Sequence, residues 1–514
     1  MSPHIDQAVD QAERPAALIV RGDKILALGA EAEMRQLVAP QHQVIDLKGA
    51  TLMPAFHDAH VHLTRHGFEL SVLRLDEVMS LDEALAAVRA RAAQLNRGEW
   101  LLGSGFALQR WGLREIDRAW LDAVSPHNPV YLQSQDHHSA WVNSAALRLA
   151  GIHQGTINPE NGVIVRDDRG EASGLLLEHA QRLVAQHIPK PSDQETITAL
   201  DAAAKDFARL GVTSVHHMAA EPASYFRNQA LRASQADYGL RVWSCFPQED
   251  ADHAIALGIA TGQGGSRFSV GGAKFFADGA LGSLTAWMLE PFDGTQEYGM
   301  AVHGYEVMRE RFPKVIAAGL TPVIHAIGDA ANRAVIDVLE ETRELWQLRG
   351  LRPRLEHVQH LNAADVPRLA NLGIVASMQP IHLVFDSLRI RALLNSRIQD
   401  AYRFSGLLKA GVPLAFGSDT PVANPDVIKG LQAAISQKSQ EGSILNAHEC
   451  LSCYQALQAY TTGAAYAISR ENSLGKLAEG YEADLVILSH DPLASLDNLK
   501  IKGTMLAGHW TYQA

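Results

Sequence analysis

The central part of the chain alternates short apolar segments with amphipathic segments of helical period, and this alternation restricts the possible folds strongly. The apolar segments are typical of strands, and those identified are Ala55–Leu63, Gly211–Met218, Gly272–Asp278, Thr321–Ala326, Arg354–Gln359, Gly373–Met378 and Val412–Ser418. The amphipathic segments predict helices such as Leu81–Leu95, Gln194–Leu210, Tyr305–Ala318 and Ala330–Leu348. Strands that alternate with helices pair in parallel, and roughly eight repeats favour an α/β fold of the closed (β/α)₈ TIM-barrel type. A doubly wound sheet is the alternative, but no G-x-G-x-x-G motif opens a helix after the first strand.

The two ends of the chain differ from this central part, because both consist of short strand-like runs and turns. These runs are Ala17–Val20, Ile25–Leu28, Val44–Leu47, Thr51–Met53, Gly475–Leu477, Ala483–Leu488, Thr504–Leu506 and His509–Tyr512. We therefore predict that residues 1–53 and 473–514 form one small β domain, with the barrel in residues 54–472. Residues from about 66 to 200 exceed one crossover connection, so we expect an insertion over the barrel mouth. Within it, Trp100–Gly105 and Pro129–Gln135 are strand candidates.

The composition excludes several classes of protein. Among 514 residues, 45 Lys and Arg stand against 57 Asp and Glu, a net charge of −12 that disfavours a nucleic-acid partner. No apolar run is long enough for a membrane span, and no apolar segment of a secretory signal follows Met1. Three cysteines cannot form a disulfide framework. We therefore expect a cytoplasmic protein with no nucleic-acid and no membrane partner.

Residue types that bind metals recur at the ends of the predicted strands. His60 and His62 are two residues apart on the first barrel strand, so both side chains point to the same face. His325, His357 and Asp419 lie at the ends of three later strands. Because the carboxyl ends of all barrel strands meet at one rim, these side chains are expected to converge there. Four imidazoles and one carboxylate are a suitable ligand set for a first-row metal.

Lys274 adds an amine to otherwise apolar surroundings on the strand Gly272–Asp278. Burial favours the neutral amine, which can react with carbon dioxide to form a carbamate. Such a carboxylate on a long stem is suited to bridging two cations. An ion pair of Lys274 with Asp278 or Asp419 is the alternative.

Together these residues resemble the ligand pattern of the amidohydrolase superfamily, and more closely its amidohydrolase-3 branch, which contains N-substituted formamide deformylases. The resemblance covers nearly the whole chain and includes these segments: His60–His62, Asp136–Ser144, Lys274–Ser283, His325–Asp329, Glu356–His357, Gly417–Asp419, Gly475–Leu477 and Ala483–Leu485. It implies a metal-bearing TIM barrel, with a small β-sandwich formed by both chain termini.

The resemblance also implies a role for each metal-binding position. His60 and His62 would hold the more buried zinc with Asp419 nearby. A carboxylated Lys274 would bridge to a second zinc, held by His325 and His357. Zinc-activated hydroxide would attack an amide or N-formyl carbon, with Asp419 as general base and acid. One zinc or two, and the carboxylation of Lys274, stay open.

Four further residues are candidates for binding a small-molecule substrate. His138 lies in the insertion and either reaches the substrate carbonyl or makes a structural hydrogen bond. His216, Asp278 and Gln379 stand at strand ends and are expected to line the rim.

Other activities remain open on the same barrel. Deaminases of the superfamily commonly carry a glutamate three residues after the histidine that corresponds to His325, and here that position is Gly328. Hydrolysis of a lactone or ester would need no different ligands. A non-catalytic binding or regulatory member is a further alternative, although no predicted ligand is missing. The sequence does not name the substrate, and a homodimer stays open.

Overall fold

The structure is a computed structural model that describes residues 15–39, 41–113, 115–134, 138–218 and 223–514. Strands in these residues are β1 Ala17–Arg21, β2 Lys24–Gly29, β3 Thr51–Pro54, β4 Phe56–Val61, β5 Leu73–Arg74, β6 Leu101–Phe106, β7 Val130–Ser134, β8 Ser139–Val142, β9 Gly162–Arg166, β10 Ala172–Glu178, β11 Val212–His217, β12 Arg241–Pro247, β13 Phe268–Phe276, β14 Thr321–Ala326, β15 Arg354–His357, β16 Val375–Met378, β17 Leu414–Phe416, β18 Leu485–Leu488, β19 Ile501–Leu506 and β20 His509–Gln513. Helices in these residues are α1 Glu31–Leu37, α2 Leu63–Ser71, α3 Leu81–Ala92, α4 Arg118–Val124, α5 Ser144–Leu149, α6 Gln181–Ala185, α7 Asp193–Arg209, α8 Ala223–Ala233, α9 Ala251–Ala256, α10 Tyr305–Ala317, α11 Asp329–Glu341, α12 Arg343–Leu348, α13 Val366–Leu372, α14 Pro380–Leu393, α15 Phe404–Lys409, α16 Val427–Ser436, α17 Cys453–Ala459 and α18 Thr462–Ala467.

Eight strands form one parallel sheet in the order β17-β16-β15-β14-β13-β12-β11-β4. The two edge strands meet through a parallel bridge between Val61 and Thr420. Two backbone hydrogen bonds reinforce this closure, from Asp419 N to His60 O at 2.7 Å and from His62 N to Thr420 O at 2.8 Å. The predicted (β/α)₈ barrel is therefore confirmed.

Apolar residues at helical spacing attach the helices to this sheet. In α7, Leu200, Ala203, Ala204 and Phe207 are buried, and they recur at the three- and four-residue spacing of one helix face. They share one core cluster with Phe56 and other apolar residues of the strands. The helices thus hold the strands in place from outside, and the strand ends can carry polar side chains.

Several elements differ from the sequence prediction. Strand β12, Arg241–Pro247, was missed, and it completes the set of eight barrel strands. The single helix predicted over residues 330–348 is two helices, because the chain leaves helical geometry at Thr342, whose hydroxyl donates to Val338 O at 2.8 Å. The strands predicted at Val44–Leu47 and Gly475–Leu477 were wrong, since the backbone there makes no sheet pairs.

The two chain ends meet in one antiparallel sheet. Its strand order is β20-β19-β18-β3, so Thr51–Pro54 pairs directly with Leu485–Leu488. Strands β1 and β2 form a separate antiparallel pair, which is joined to the C-terminal segment by a bridge between Lys24 and Glu482. A separate terminal domain with the bounds 1–53 and 473–514 stays a prediction.

The chain divides into two compact units, one of residues 1–67 and 196–514 and the other of residues 68–195. The second unit contains a six-stranded sheet in the order β5-β6-β7-β8-β10-β9. The candidate strands at 100–105 and 129–135 correspond to β6 and β7, although Gln135 itself lies outside the described residues. A position of this unit over the barrel mouth stays a prediction. Over the residues described, no helix combines the length and the apolar character that a membrane span requires.

Candidate metal centre

The barrel brings the predicted metal ligands together at the carboxyl ends of its strands. His60 is near the end of β4 and His62 follows that strand directly, while Asp419 follows β17. The Nε2 atoms of the two imidazoles lie 3.4 Å and 3.2 Å from the same Asp419 oxygen, Oδ1. Potential ligand atoms of these three residues all lie within 4.8 Å of one another.

The remaining predicted histidines continue this cluster. The ring centroids of His60 and His357 are 4.8 Å apart, and those of His357 and His325 are 4.5 Å apart. All of these side chains are buried or nearly so. Four imidazoles therefore face one small volume around the Asp419 carboxylate.

Hydrogen bonds fix which nitrogen of three rings faces that volume. His60 Nδ1 lies 2.7 Å from Glu356 Oε2, His357 Nδ1 lies 2.7 Å from Gln379 Oε1, and His325 Nε2 lies 2.9 Å from Gly279 O. Each partner is an oxygen that accepts, so the ring nitrogen beside it carries the proton. In the neutral rings, the opposite nitrogens, Nε2 of His60 and His357 and Nδ1 of His325, are therefore the ones that can offer a lone pair to a metal. Metal-binding histidines are commonly held in this way.

A buried ion pair between Arg354 and Glu356 holds the His60 ring through its Nδ1 atom. Glu356 Oε1 accepts from Arg354 Nε at 2.7 Å, and both side chains are fully buried. Arg354 also donates to the carbonyl of Ala59 at 2.7 Å and to Ser377 Oγ at 2.9 Å. Burial by itself raises the pKa of Glu356, but Arg354 and His60 outweigh it and hold that pKa well below its usual range. Glu356 is therefore an ionised acceptor for the His60 ring.

The Asp419 carboxylate is also held in its ionised form. Burial raises the pKa of Asp419, but the imidazoles of His60 and His62 outweigh burial and lower the pKa well below its usual value. Asp58 on β4 accepts hydrogen bonds from Ser418 N at 2.9 Å and from Ser418 Oγ at 2.5 Å. These bonds connect β4 to the segment that follows β17. The position of Asp419 is therefore fixed by the residue that precedes it.

Lys274 lies within the same buried region. In the described part of the chain, its Nζ atom has no hydrogen-bond partner, and it lies 4.9 Å from the centroid of the Phe276 ring. Burial lowers the pKa of Lys274 from 10.5 to about 8, although the carboxylates of Glu356 and Asp419 raise it. The geometry therefore lacks the hydrogen-bonded ion pair with Asp278 or Asp419 that was the alternative for this lysine.

The backbone at two candidate ligands is in the left-handed region. The φ angle is 76° at His357, 45° at Val358 and 63° at Asp419. Such angles are uncommon for residues other than glycine, and they are most unusual for a β-branched residue such as Val358. Strain of this kind concentrates at functional sites, where the surrounding fold holds it.

In the structure, the four candidate substrate-binding residues contact other groups of the protein. Asp278 accepts three backbone N–H groups, from Trp287, Ile327 and Gly328 at 2.8 to 3.0 Å. Gln379 holds His357, and His216 Nδ1 lies 3.0 Å from Arg354 Nη1.

His138 lies 3.0 Å from Glu178 within the unit of residues 68–195 and is largely exposed. This contact is the structural hydrogen bond that the sequence left open for His138. Substrate binding by His138, His216, Asp278 and Gln379 stays a prediction.

Sequence reasoning missed three residues of the site. Two of them, Arg354 and Glu356, are two residues apart on one strand, so both side chains point to the same face. This alternation is the sequence signal that could have identified them. His382 lies in the first turn of α14, and its Nε2 atom is 3.7 Å from Asp419 Oδ2. His382 follows Gln379 by three residues, which is about one helical turn. This spacing is the only sequence signal that could have placed His382 near Gln379.

The donor set fits a divalent metal. Buried atoms of the cluster that have no hydrogen-bond partner among the described residues include Lys274 Nζ, His382 Nε2 and Asp419 Oδ1. Unpaired buried polar atoms are costly, and a cation would satisfy Asp419 Oδ1 together with the free imidazole nitrogens. Nitrogen ligands with one carboxylate suit first-row metals such as zinc.

A (β/α)₈ barrel with this cluster at the ends of its strands defines a metal-dependent hydrolase. Residues 43–512 match the amidohydrolase family, and the chain belongs to that family. It is 34% identical over 98% of its length to YtcJ of Bacillus subtilis, a proposed amidohydrolase, and covers 97% of that protein. It is 26% identical to the N-substituted formamide deformylase of Arthrobacter pascens, over 97% of this chain and 95% of the other. A metal-dependent hydrolase from Pyrococcus horikoshii has a similar structure, with a TM-score of 0.77, 25% identity and coverage of 96% of this chain and 95% of the other.

Proposed function

We propose that the protein hydrolyses a C–N bond of a small amide or N-formyl compound, using one or two zinc ions held by the cluster. The observation that carries this proposal is the position of Asp419. Its Oδ1 atom faces the lone-pair nitrogens expected to bind metal, while its Oδ2 atom faces His382. One carboxylate thus faces the expected metal ligands with one oxygen and a further imidazole with the other.

The residues of the cluster have different roles in the proposed hydrolysis. His60, His62 and Asp419 would hold one metal, and His325 and His357 would hold a second. A divalent metal supplies Lewis acidity, which polarises a carbonyl oxygen and makes water more acidic. Asp419 is ionised and buried, so it is placed to accept a proton from the attacking water and to donate that proton to the leaving nitrogen. Glu356 keeps His60 in the tautomer that leaves Nε2 free.

We further propose that Lys274 is carboxylated. The neutral amine attacks carbon dioxide, an N–C bond forms, and the amine loses one proton to solvent. The product is a carbamate, which keeps the nitrogen and adds two oxygens, and these oxygens could bridge two cations. The buried Nζ atom, the absence of a hydrogen-bond partner for it in the described residues, and the pKa near 8 all support this step.

Deamination is a weaker fit to this site. A Cβ atom built at Gly328 would lie 2.0 Å from the carbonyl oxygen of Trp287, so the backbone leaves no room for a side chain there. A glutamate like that of the ring deaminases therefore cannot occupy position 328. The similarity to the N-substituted formamide deformylase of Arthrobacter pascens favours an N-formyl compound instead.

The test combines metal analysis with a substrate screen. The purified protein is expected to contain one or two zinc ions per chain and to release amine from members of a series of N-formyl amines, N-acyl amines and cyclic amides. Matched esters, lactones and aminopurines in the same screen test the other activities. Zinc-loaded protein that hydrolyses none of the amides would refute the proposal.

A second arm tests the lysine. Lys274→Ala should lose both metal and activity, and added formate or acetate should restore part of each by replacing the missing carboxylate. Lys314→Ala is the matched control, because Lys314 is an exposed lysine paired with Glu310. Full activity of Lys274→Ala without an added carboxylate would contradict a role for the lysine.

A further inference from the structure

His382 faces one oxygen of the Asp419 carboxylate, and His60 and His62 face the other. Its side chain is nine-tenths buried, and its Nε2 atom has no hydrogen-bond partner among the described residues. The Asp419 oxygen that it faces, Oδ2, is 3.7 Å away. This distance is too long for a hydrogen bond between them, but a polar atom beside the pair can lie within hydrogen-bond distance of both.

Two glutamines give opposite tautomers to the neighbouring rings of His357 and His382, whose centroids are 6.1 Å apart with planes inclined by 19°. Gln379 places its carbonyl oxygen on His357 Nδ1, which must therefore carry the proton. Gln359 instead places its amide nitrogen 3.4 Å from His382 Nδ1. An amide nitrogen only donates, so His382 Nδ1 accepts and the proton of this ring is on Nε2.

A group bound beside these two atoms thus meets an acceptor at one of them and a donor at the other. Asp419 Oδ2 is an anionic acceptor, and His382 Nε2–H is a neutral donor. An amide group presents the complementary pair, because its nitrogen carries a hydrogen and its carbonyl oxygen accepts. Among the polar atoms of an amide, only the carbonyl oxygen matches the His382 donor.

We propose that His382 is a catalytic residue that donates a hydrogen bond from Nε2 to the carbonyl oxygen of the substrate. Negative charge develops on this oxygen when the carbonyl is attacked, so the bond strengthens in the transition state. Gln359 is a positioning residue that holds the ring in the donating tautomer. The inference rests on the proposed amide hydrolysis and adds the group that recognises the acyl part of the substrate.

A metal-binding role for His382 is the competing interpretation. Potential ligand atoms of His357, His382 and Asp419 lie within 4.8 Å of one another, which is close enough to hold an ion. However, the nitrogen of His382 that faces the cluster carries the proton, whereas the corresponding nitrogen of His357 does not. A ligand must offer a lone pair, so the tautomer favours a donor.

His382→Phe tests this role, because it keeps a ring beside His357 and removes the donor. With an amide that the wild type hydrolyses, kcat should fall about 10²-fold, which is typical for the loss of one such donor. KM and the zinc content measured by elemental analysis should stay near those of the wild type. His382→Gln keeps an N–H donor and should retain more of the activity than His382→Phe.

His360→Phe is the matched control. His360 is buried, and neither of its ring nitrogens has a hydrogen-bond partner among the described residues, so the same substitution there should leave kcat and zinc content unchanged. Loss of zinc from His382→Phe would overturn the donor role in favour of metal binding. Unchanged kcat in His382→Phe would overturn it as well, while the proposed function would stand. A zinc-loaded wild type that hydrolyses no amide would instead refute the proposed function, and this role with it.

Discussion

Replacing Glu356 by glutamine tests how the fold supports the metal centre. In the structure, Oε1 of Glu356 faces Arg354 Nε at 2.7 Å, and Oε2 faces both His60 Nδ1 at 2.7 Å and Arg354 Nη2 at 3.2 Å. Both oxygens thus face donors. The amide nitrogen of the introduced glutamine would meet one of these donors in either orientation, and the guanidinium of Arg354 would lose its counter-ion.

The structure sets the size of the expected effect. Glu356 and Arg354 are fully buried, and removing one partner of such a pair costs about 3–5 kcal/mol of folding free energy. His60 would also lose the acceptor that fixes its tautomer. Loss of such a support lowers metal affinity by about 10- to 100-fold, which corresponds to about 1.4–2.7 kcal/mol.

The assay is a zinc titration of the metal-free variant against a competing chelator, accompanied by urea denaturation followed by circular dichroism. Glu482→Gln is the matched control. Glu482 is a buried carboxylate that accepts from Arg241 at 3.2 Å, and Arg241 keeps a second partner in Asp484. The control should bind zinc as the wild type does. Wild-type zinc affinity and stability in Glu356→Gln would refute the reasoning.

Three further predictions follow from the same geometry. Asp419→Asn removes the proton acceptor and should lower kcat by at least about 10²-fold with an unchanged circular dichroism spectrum, and near-wild-type turnover would exclude Asp419 as the proton carrier. Gly417→Ala would place a Cβ atom 2.4 Å from His60 N and should reduce the zinc content measured by elemental analysis, whereas Gly265→Ala, which has open space around it, should not. Because burial lowers the pKa of Lys274 to about 8, its neutral form predominates above that pH. Carbamate formation on metal-free protein at constant dissolved ¹³CO₂ should therefore rise as the pH rises through about 8, and a ¹³C NMR signal that falls over this range would contradict the assignment.

Much of the barrel could be predicted because its strands and helices have clear apolar periodicity. Strand Thr321–Ala326 was predicted with the bounds that the structure has. Strand Arg241–Pro247 was missed because Ser244 interrupts its apolar run and it has no ligand-type residue at its end. The break at Thr342 was missed because both helices continue the same apolar pattern.

The metal ligands could be predicted because residue type and a position at a strand end are enough to place them in the cluster. His60, His62, His325, His357 and Asp419 are metal-binding residues at strand ends, and parallel pairing alone brings strand ends to one rim. The roles of Glu356, Gln359 and His382 depend on which atom of each side chain faces which neighbour. Such orientations follow from packing between elements that are distant in the sequence, so residue type and spacing did not reveal them.

The central claim is that these imidazoles and the Asp419 carboxylate enclose a metal, and anomalous diffraction tests it most directly. Crystals grown with zinc should show a strong anomalous peak at the zinc absorption edge within coordination distance of His60 Nε2, His62 and Asp419. A second peak beside His325 Nδ1 and His357 Nε2 is expected when Lys274 is carboxylated. Density without an anomalous peak at these residues, or zinc bound only elsewhere on the protein, would contradict the account.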